Sequence, residues 1–398
     1  MQKISGGVIA PKGFRAIGVA GGIKLSGRKD ISLIISDVSC VAAGVFTTNI
    51  FKAAPVIVSQ EILEKNPTDI RGIVANSGNA NCLTGEKGIN DARVMGMIVE
   101  EKMGFAKNTV LVASTGIIGK FLPMEVVEYG IAKACDKIKQ ESSSISAAEG
   151  IMTTDTRPKE VAVQYISGLE TFKIGAIGKG SGMINPSMAT MLCFITTDVK
   201  ISKELLQSAL SETVKDTFNS ISVDGDMSTN DTVFILASGL SEFTVNKKDE
   251  KYKIFVSYLK EVMNSMALMI VEDGEGITKV IKIEVINARK KQSAENIARK
   301  IANSLLVKTM FFGENPNWGR IISAIGSTKE NIDPYKLKVV INQKKIYDKG
   351  SYIGYPSNDI LKERYINLIV DLGIGKETFT LYTNDLSYDY IKINAEYT

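Results

Sequence analysis

Apolar residues in this chain come in short runs closed by Gly, Asn or Ser. Such runs at residues 31–35, 54–58, 72–75, 110–113, 161–166 and 191–196 predict β-strands. Elsewhere the apolar positions return at helical spacing. In 203–218, Leu206, Leu210, Val214 and Phe218 recur every four residues, which predicts a helix with one buried face. Residues 250–271 and 293–307 behave alike, the latter through Ile297, Ile301 and Leu305. Strand-like runs return at 280–286, 338–341 and 368–371. This alternation predicts a layered α/β or α+β protein. The Lys- and Ile-rich stretch 280–398 reads as a smaller C-terminal lobe.

Composition adds limits. At 398 residues, 44% hydrophobic and 23% charged, the chain has the make-up of an ordinary globular protein with room for two or three lobes. A formal net charge of +4 with no dense Lys/Arg stripe argues against a nucleic-acid partner. The opening Met1-Gln-Lys-Ile-Ser-Gly-Gly lacks the apolar core of a secretory signal. Apolar runs such as 233–240 fall short of the roughly 18 residues a membrane span needs. Cys40, Cys82, Cys135 and Cys193 are scattered and read as reduced thiols. The expected location is the cytoplasm, with no membrane partner.

The chain contains no histidine. This excludes Ser-His-Asp and Cys-His catalysis and removes the commonest zinc ligand, so no metal is expected. A general base would have to be a carboxylate, a lysine, a cysteine or a terminal amine. The segment Gly178-Lys-Gly-Ser-Gly-Met-Ile-Asn-Pro-Ser-Met-Ala-Thr190 turns sharply through its glycines and proline, then meets an apolar strand at Met191. It has neither Walker nor dinucleotide-loop spacing. A threonine held there could attack its own preceding carbonyl. Thr190 Oγ would displace the Ala189–Thr190 amide, and water would release a new N-terminal threonine. Its α-amine, with an ordinary pKa of about 7.7–8.0, could then deprotonate its own hydroxyl. A glycine-rich turn ahead of a core strand is the plainer explanation of the same residues.

The run Lys179-Gly-Ser-Gly-Met-Ile-Asn-Pro-Ser-Met-Ala-Thr190-Met-Leu resembles the cleavage segment of the ornithine acetyltransferases (glutamate N-acetyltransferases). The resemblance extends over nearly the whole chain. In the family's order come Gly6-Gly-Val-Ile-Ala-Pro-Lys-Gly-Phe14, Asn76-Ser-Gly-Asn-Ala-Asn81, Ser114-Thr-Gly-Ile-Ile-Gly119 and Met152-Thr-Thr-Asp-Thr156. After the cleavage segment follow Ser222-Val-Asp-Gly-Asp-Met-Ser-Thr-Asn-Asp-Thr232, Glu272-Asp-Gly-Glu-Gly-Ile-Thr-Lys279 and Asn315-Pro-Asn-Trp-Gly-Arg320.

This resemblance implies the layered α/β sandwich of the self-cleaving ornithine acetyltransferase and D-aminopeptidase type. An α chain of residues 1–189 and a β chain of residues 190–398 would form it, in an α2β2 assembly. It implies acetyl transfer from N-acetyl-L-ornithine to L-glutamate through an acetyl-Thr190 ester, in arginine biosynthesis. No cofactor is implied, although some members also use acetyl-CoA as a donor. Position by position, Thr115 and Gly116 would form the oxyanion hole. Thr153, Lys179, Thr190 and Glu275 would contact substrate, with Lys179 suited to a carboxylate and Glu275 to an amino group. The family closes with Asn-Ala-x-Tyr-x-Ser/Thr. Here Asn394-Ala-Glu-Tyr397-Thr398 matches at Asn394 and ends one residue early at Thr398.

The acidic stretch Asp224-Gly-Asp226-Met-Ser228-Thr-Asn230 has Thr229 where a calcium loop needs glycine and Ile235 where it needs glutamate. It reads as a hydrogen-bonded loop near the active site. Asn76–Asn81 reads as shaping the pocket through left-handed turns. Two other functions fit part of the pattern: a self-cleaving aminopeptidase or amidase with water as acceptor, and a binding protein with an uncut loop.

Overall fold

The computed structural model describes residues 1–185, 191–354 and 357–396. The chain divides into two compact units. The first comprises residues 1–181, 187–219 and 227–270, and the second 182–186, 220–226 and 271–398.

Nine strands of the first unit form one connected sheet. Its path runs Gln2–Ile4, Lys159–Ser167, Glu170–Lys179, Leu192–Thr197, Thr232–Ala237, Ile31–Phe46, Ile70–Asn79, Val110–Ile117, and Phe14–Val19 also pairs with Ile31–Phe46. The long strand Ile31–Phe46 carries the sheet around a bend. Its first half pairs with Phe14–Val19 and Ile70–Asn79, its second half with Thr232–Ala237, and the register breaks between Ile35 and Cys40. Bulges of this kind increase local twist and let one strand serve two layers. The helix Ser144–Ile151 packs against strands of both halves, so it lies between them. Small residues permit this approach: a Cβ on Gly18 would come within 1.9 Å of the Ser146 carbonyl oxygen. Helices Ala54–Lys65, Gly85–Met103 and Met124–Lys137 cover the half containing Val110–Ile117. The result is the expected layered α/β architecture.

The run at residues 54–58 is helical, not a strand. Pro55 sits at the start of Ala54–Lys65, where its missing N–H costs nothing, and Ala54, Val56, Val58 and Ile62 bury one side. A short, wholly apolar run cannot be told from a buried helix by periodicity alone. The stretch 293–307 is two helices, Lys291–Ala302 and Leu305–Phe312. Ser304 interrupts it by capping the second, its hydroxyl accepting from the Val307 amide.

Helix Glu250–Val271 is long and apolar enough to cross a membrane, with a mean hydropathy of 1.4, although 44% of that window is buried within the protein. Phe255, Leu259, Val262, Met263 and Met266 are fully buried. Phe172 stands at the centre of an aromatic cluster with Tyr165, Phe243, Phe255 and Tyr258.

The second unit carries a six-stranded sheet, in the order Ser351–Tyr352, Lys344–Asp348, Lys338–Ile341, Tyr365–Asp371, Val280–Ala288, Glu377–Asn384. Helix Lys291–Ala302 packs on its last two strands.

Phe172→Ala should lower the unfolding free energy by about 3–5 kcal/mol, because a rigid cluster refills such a hole poorly. Urea denaturation checks this; a loss below about 1 kcal/mol would show that the neighbouring rings collapse into the space.

Candidate active site

Three neighbouring strands of the first unit meet at one end of its sheet. Lys179 closes the strand Glu170–Lys179 and pairs with Leu192, which opens the central strand. On the other side Leu192 pairs in parallel register with Thr232. The start of the central strand is therefore flanked by Lys179 and by the residues just before Thr232.

Lys179 is buried, and its Nζ donates to Thr153 Oγ1 at 2.8 Å and lies 3.4 Å from Thr115 Oγ1. Thr115 and Gly116 sit near the end of Val110–Ile117. Gly116 has φ +136°, and a Cβ there would stand 2.3 Å from the Gly78 carbonyl carbon. Only glycine fits so close an approach of two backbones. The asparagine motif supports this turn. Asn76 accepts from Ser114 Oγ at 2.6 Å and donates to the Asn79 carbonyl, while Asn81, at φ +47°, donates to Gly88.

Asp155 organises the cations. Its Oδ1 accepts from Lys159 Nζ at 2.7 Å and from the Gly180 amide at 2.9 Å, and its Oδ2 accepts from the Thr153 amide at 3.0 Å. Burial by itself would raise its pKa. Lys179 and Lys159, together with the hydrogen bonds, outweigh that and hold the carboxyl at about 2. A pocket of about 650 Å³ opens beside it, lined by residues that include Lys24, Arg28, Met152, Thr153 and Asp155. Burial pulls Lys24 down to about 8, Asp30 opposes this, and Lys179 and Arg28 add to it by repulsion. The pocket walls mix cations, Lys24, Arg28 and Lys29, with the carboxylates of Glu149 and Asp155, a polar lining that suits a small charged molecule.

Across the central strand, Asn230 Nδ2 donates to the Ala80 and Ser114 carbonyls at 2.7 and 2.8 Å, tying its loop to the strand that carries Thr115. Asp231 Oδ1 accepts from the Met191 amide at 2.9 Å. Complete burial pushes the Asp231 pKa well above the usual carboxylate range, only partly offset by the Met191 amide, Lys179 and Ser228.

In the second unit, Asn394 Nδ2 donates to Glu275 Oε2 at 2.7 Å, and Gly182 offers the carboxylate a face with no side chain. Asp224, in the acidic stretch, accepts from the Met183 and Ile184 amides and from the Tyr390 hydroxyl. Its oxygens are thus engaged in shaping the loop.

The first unit therefore brings together Thr115, Gly116, Thr153 and Lys179, and the second brings together Glu275 and Asn394. Ala189, Thr190 and Thr398 lie outside the described residues. Sequence reasoning passed over Asp155 and Asp231 as individual groups. The available signal was a carboxylate directly before an unbroken apolar strand, as in Asp231-Thr-Val-Phe-Ile-Leu-Ala, where nothing polar is expected unless it has a partner.

Asp155→Asn should destabilise the protein by about 3–5 kcal/mol at neutral pH, because Lys159 and Lys179 lose their buried countercharge. The Asp155 pKa is depressed, so its stabilisation is complete above the ordinary carboxyl value of 3.8 and fades as pH falls towards about 2. The gap between the unfolding free energies of the two proteins should narrow along that acid limb; a gap independent of pH would mean that Asp155 is not ionised.

Residues 15–398 match the ArgJ family. A Methanocaldococcus jannaschii protein named glutamate N-acetyltransferase is 44% identical over an alignment 411 positions long, covering 100% of this chain and 100% of its own. A Bacillus cereus protein named arginine biosynthesis bifunctional protein ArgJ is 42% identical over 398 residues, covering 99% of this chain and 97% of its own. Among solved structures, the ornithine acetyltransferase of Mycobacterium tuberculosis complexed with ornithine shares 39% identity at a TM-score of 0.42. That match covers 45% of this chain and 94% of the other. Full-length identity at this level, together with the family match, means that this chain belongs to the ArgJ family.

Proposed function

We propose that this chain is an acyltransferase that moves acetyl from N-acetyl-L-ornithine to L-glutamate in arginine biosynthesis. The observation that carries the reading is the 44% identity, over the whole of both chains, with a glutamate N-acetyltransferase. The geometry of the first unit supports it: a glycine-built turn at Thr115 and Gly116 lies beside a buried cation that touches Thr115 and Thr153.

The chemistry runs through Thr190. The precursor cuts itself at Ala189–Thr190, leaving residues 1–189 and 190–398 as α and β chains that assemble as α2β2. With no histidine in the chain, the base is the Thr190 α-amine. It takes the hydroxyl proton as Oγ attacks the acetyl carbonyl of the donor. Backbone N–H groups at Thr115 and Gly116 hold the developing oxyanion, each such donor contributing on the order of 3–4 kcal/mol. Ornithine leaves as the amine, and the acetyl group remains on Thr190 as an ester. The glutamate amine then attacks that ester by the same route in reverse. Lys179 holds a substrate carboxylate, and its charge keeps the α-amine neutral at lower pH than an isolated amine would be. In the second unit, the Glu275 carboxylate, oriented by Asn394, is the group suited to a substrate amine. Acetyl-CoA is a further donor for the same nucleophile, and no cofactor takes part. The location is the cytoplasm, which agrees with four buried free cysteines.

Purified protein supplied with N-acetyl-L-ornithine and L-glutamate should yield N-acetyl-L-glutamate and ornithine. Thr190→Ala should stay a single uncut chain and make neither. Release of acetate alone, unaffected by glutamate, would favour an amidase; product formation by the uncut variant would remove Thr190 from the chemistry.

A further inference from the structure

Asp231 is wholly buried, and the two oxygens of its carboxyl stand in different situations. Oδ1 accepts from the Met191 amide at 2.9 Å, whereas Oδ2 is buried with no hydrogen-bond partner among the described residues. Met191 follows Thr190 directly in the sequence. The carboxyl is thus bonded to the amide on the carbonyl side of the nucleophile. Its backbone is fixed as well. The Thr47 amide donates to the Asp231 carbonyl at 2.9 Å, the Thr47 hydroxyl donates to the Ser228 carbonyl at 2.7 Å, and Asn230 is clamped to Ala80 and Ser114. The acidic loop that the sequence left without a role ends in this pinned carboxyl.

Capping the Met191 amide does not explain an aspartate here. An asparagine carbonyl would accept the same bond at the same length without the desolvation cost of a buried carboxylate. What asparagine cannot do is take up and return a proton. Buried ionisable groups of this kind concentrate where proton transfer is needed.

We propose that Asp231 is the proton carrier for self-cleavage at Ala189–Thr190. The inference rests on the self-cleaving reading and adds to it the group that works before any α-amine exists. Asp231, as carboxylate, accepts the proton of Thr190 Oγ while Oγ bonds to the Ala189 carbonyl carbon. The Ala189 C–Thr190 N bond then breaks, and the proton passes from Asp231 to that nitrogen, giving the free amine and an ester. Water hydrolyses the ester to the Ala189 carboxylate and the Thr190 hydroxyl. Asp231 ends as it began. The charged side chain whose field reaches Asp231 is Lys179, and the Met191 amide and Ser228 hydroxyl are the polar groups facing it. All three favour the carboxylate and so set where the group becomes competent.

The test is the chase of pulse-labelled full-length precursor into two fragments, from mildly acidic to mildly alkaline pH. Wild-type cleavage should accelerate as pH rises through a single ionisation above the ordinary carboxyl range. Asp231→Asn should fold, unfold thermally at or above the wild-type temperature, and cleave about 10²–10⁴-fold more slowly with no such limb. Ser228→Ala, which removes a hydroxyl favouring the carboxylate, should move the wild-type limb to higher pH and decides the matter if the asparagine variant does not fold. Cleavage of Asp231→Asn at the wild-type rate would overturn the assignment while leaving self-cleavage intact. So would a wild-type rate independent of pH, or an unmoved limb in Ser228→Ala. A wild-type chain that never cuts would overturn the self-cleaving reading and this inference together.

Discussion

Asp155 is buried against two lysines, and the working end of the first unit depends on that arrangement. Its carboxylate meets Lys159 directly and fixes the backbone of Gly180, next to Lys179 in the chain, and of Thr153, whose hydroxyl Lys179 bonds. Without it, the Lys159 ammonium would lose its ion-pair partner in a desolvated space, a situation proteins avoid by neutralising the group or refolding the loop. Lys179, nearly inaccessible to water, holds Thr153 and approaches Thr115. A cation in that setting acts through a low effective dielectric, so its pull on a bound carboxylate or a developing negative charge is greater than in water.

The second constraint is a backbone one. Val110–Ile117 and Ile70–Asn79 run parallel and close until Gly78 and Gly116 come opposite, where no side chain fits between them. Asn76 and Asn230 donate to the carbonyls of Asn79, Ala80 and Ser114 around that approach, and Ser114 Oγ donates to Asn76. A turn supported in this way meets the demand for rigidity that the proposed oxyanion hole at Thr115 and Gly116 would make. The same loop, continuing to Asp231, reaches the first residue after Thr190. One network thus links the turn at Thr115 to the start of the central strand.

Much of this was legible in the sequence. The strands at 72–75, 110–113 and 161–166 lie inside observed strands, and the helix at 250–271 coincides with the observed one, because long amphipathic or clearly bounded apolar runs leave few alternatives. Thr115, Gly116, Thr153 and Lys179 came from the family motifs, and the fold supplies a reason for their company. The run at 54–58 misled because Pro55 starts a helix as readily as it ends a strand pattern. Ser304 broke a helix whose apolar spacing continued across it, since a cap depends on a side-chain bond that periodicity does not record. Asp155 and Asp231 stayed hidden for a different reason. Asp155 reaches Gly180 across 25 positions and Asp231 reaches Met191 across 40, and a carboxylate in an oxygen-rich stretch looks like solvated surface until its burial is known. Glu275 and Asn394 meet across 119 positions of sequence, which only the fold of the second unit brings together.

The central claim is that one threonine carries the acetyl group between two amines. Isotope exchange tests it most directly. The protein is incubated with unlabelled N-acetyl-L-ornithine and labelled ornithine, with glutamate left out. An acetyl-enzyme must form from the donor alone, release ornithine, and accept labelled ornithine in the reverse step, so label should pass into N-acetylornithine without glutamate. Failure of label to pass until glutamate is added, under conditions where net transfer is brisk, would mean that both amines must be bound at once, and would contradict a nucleophile that serves them in turn.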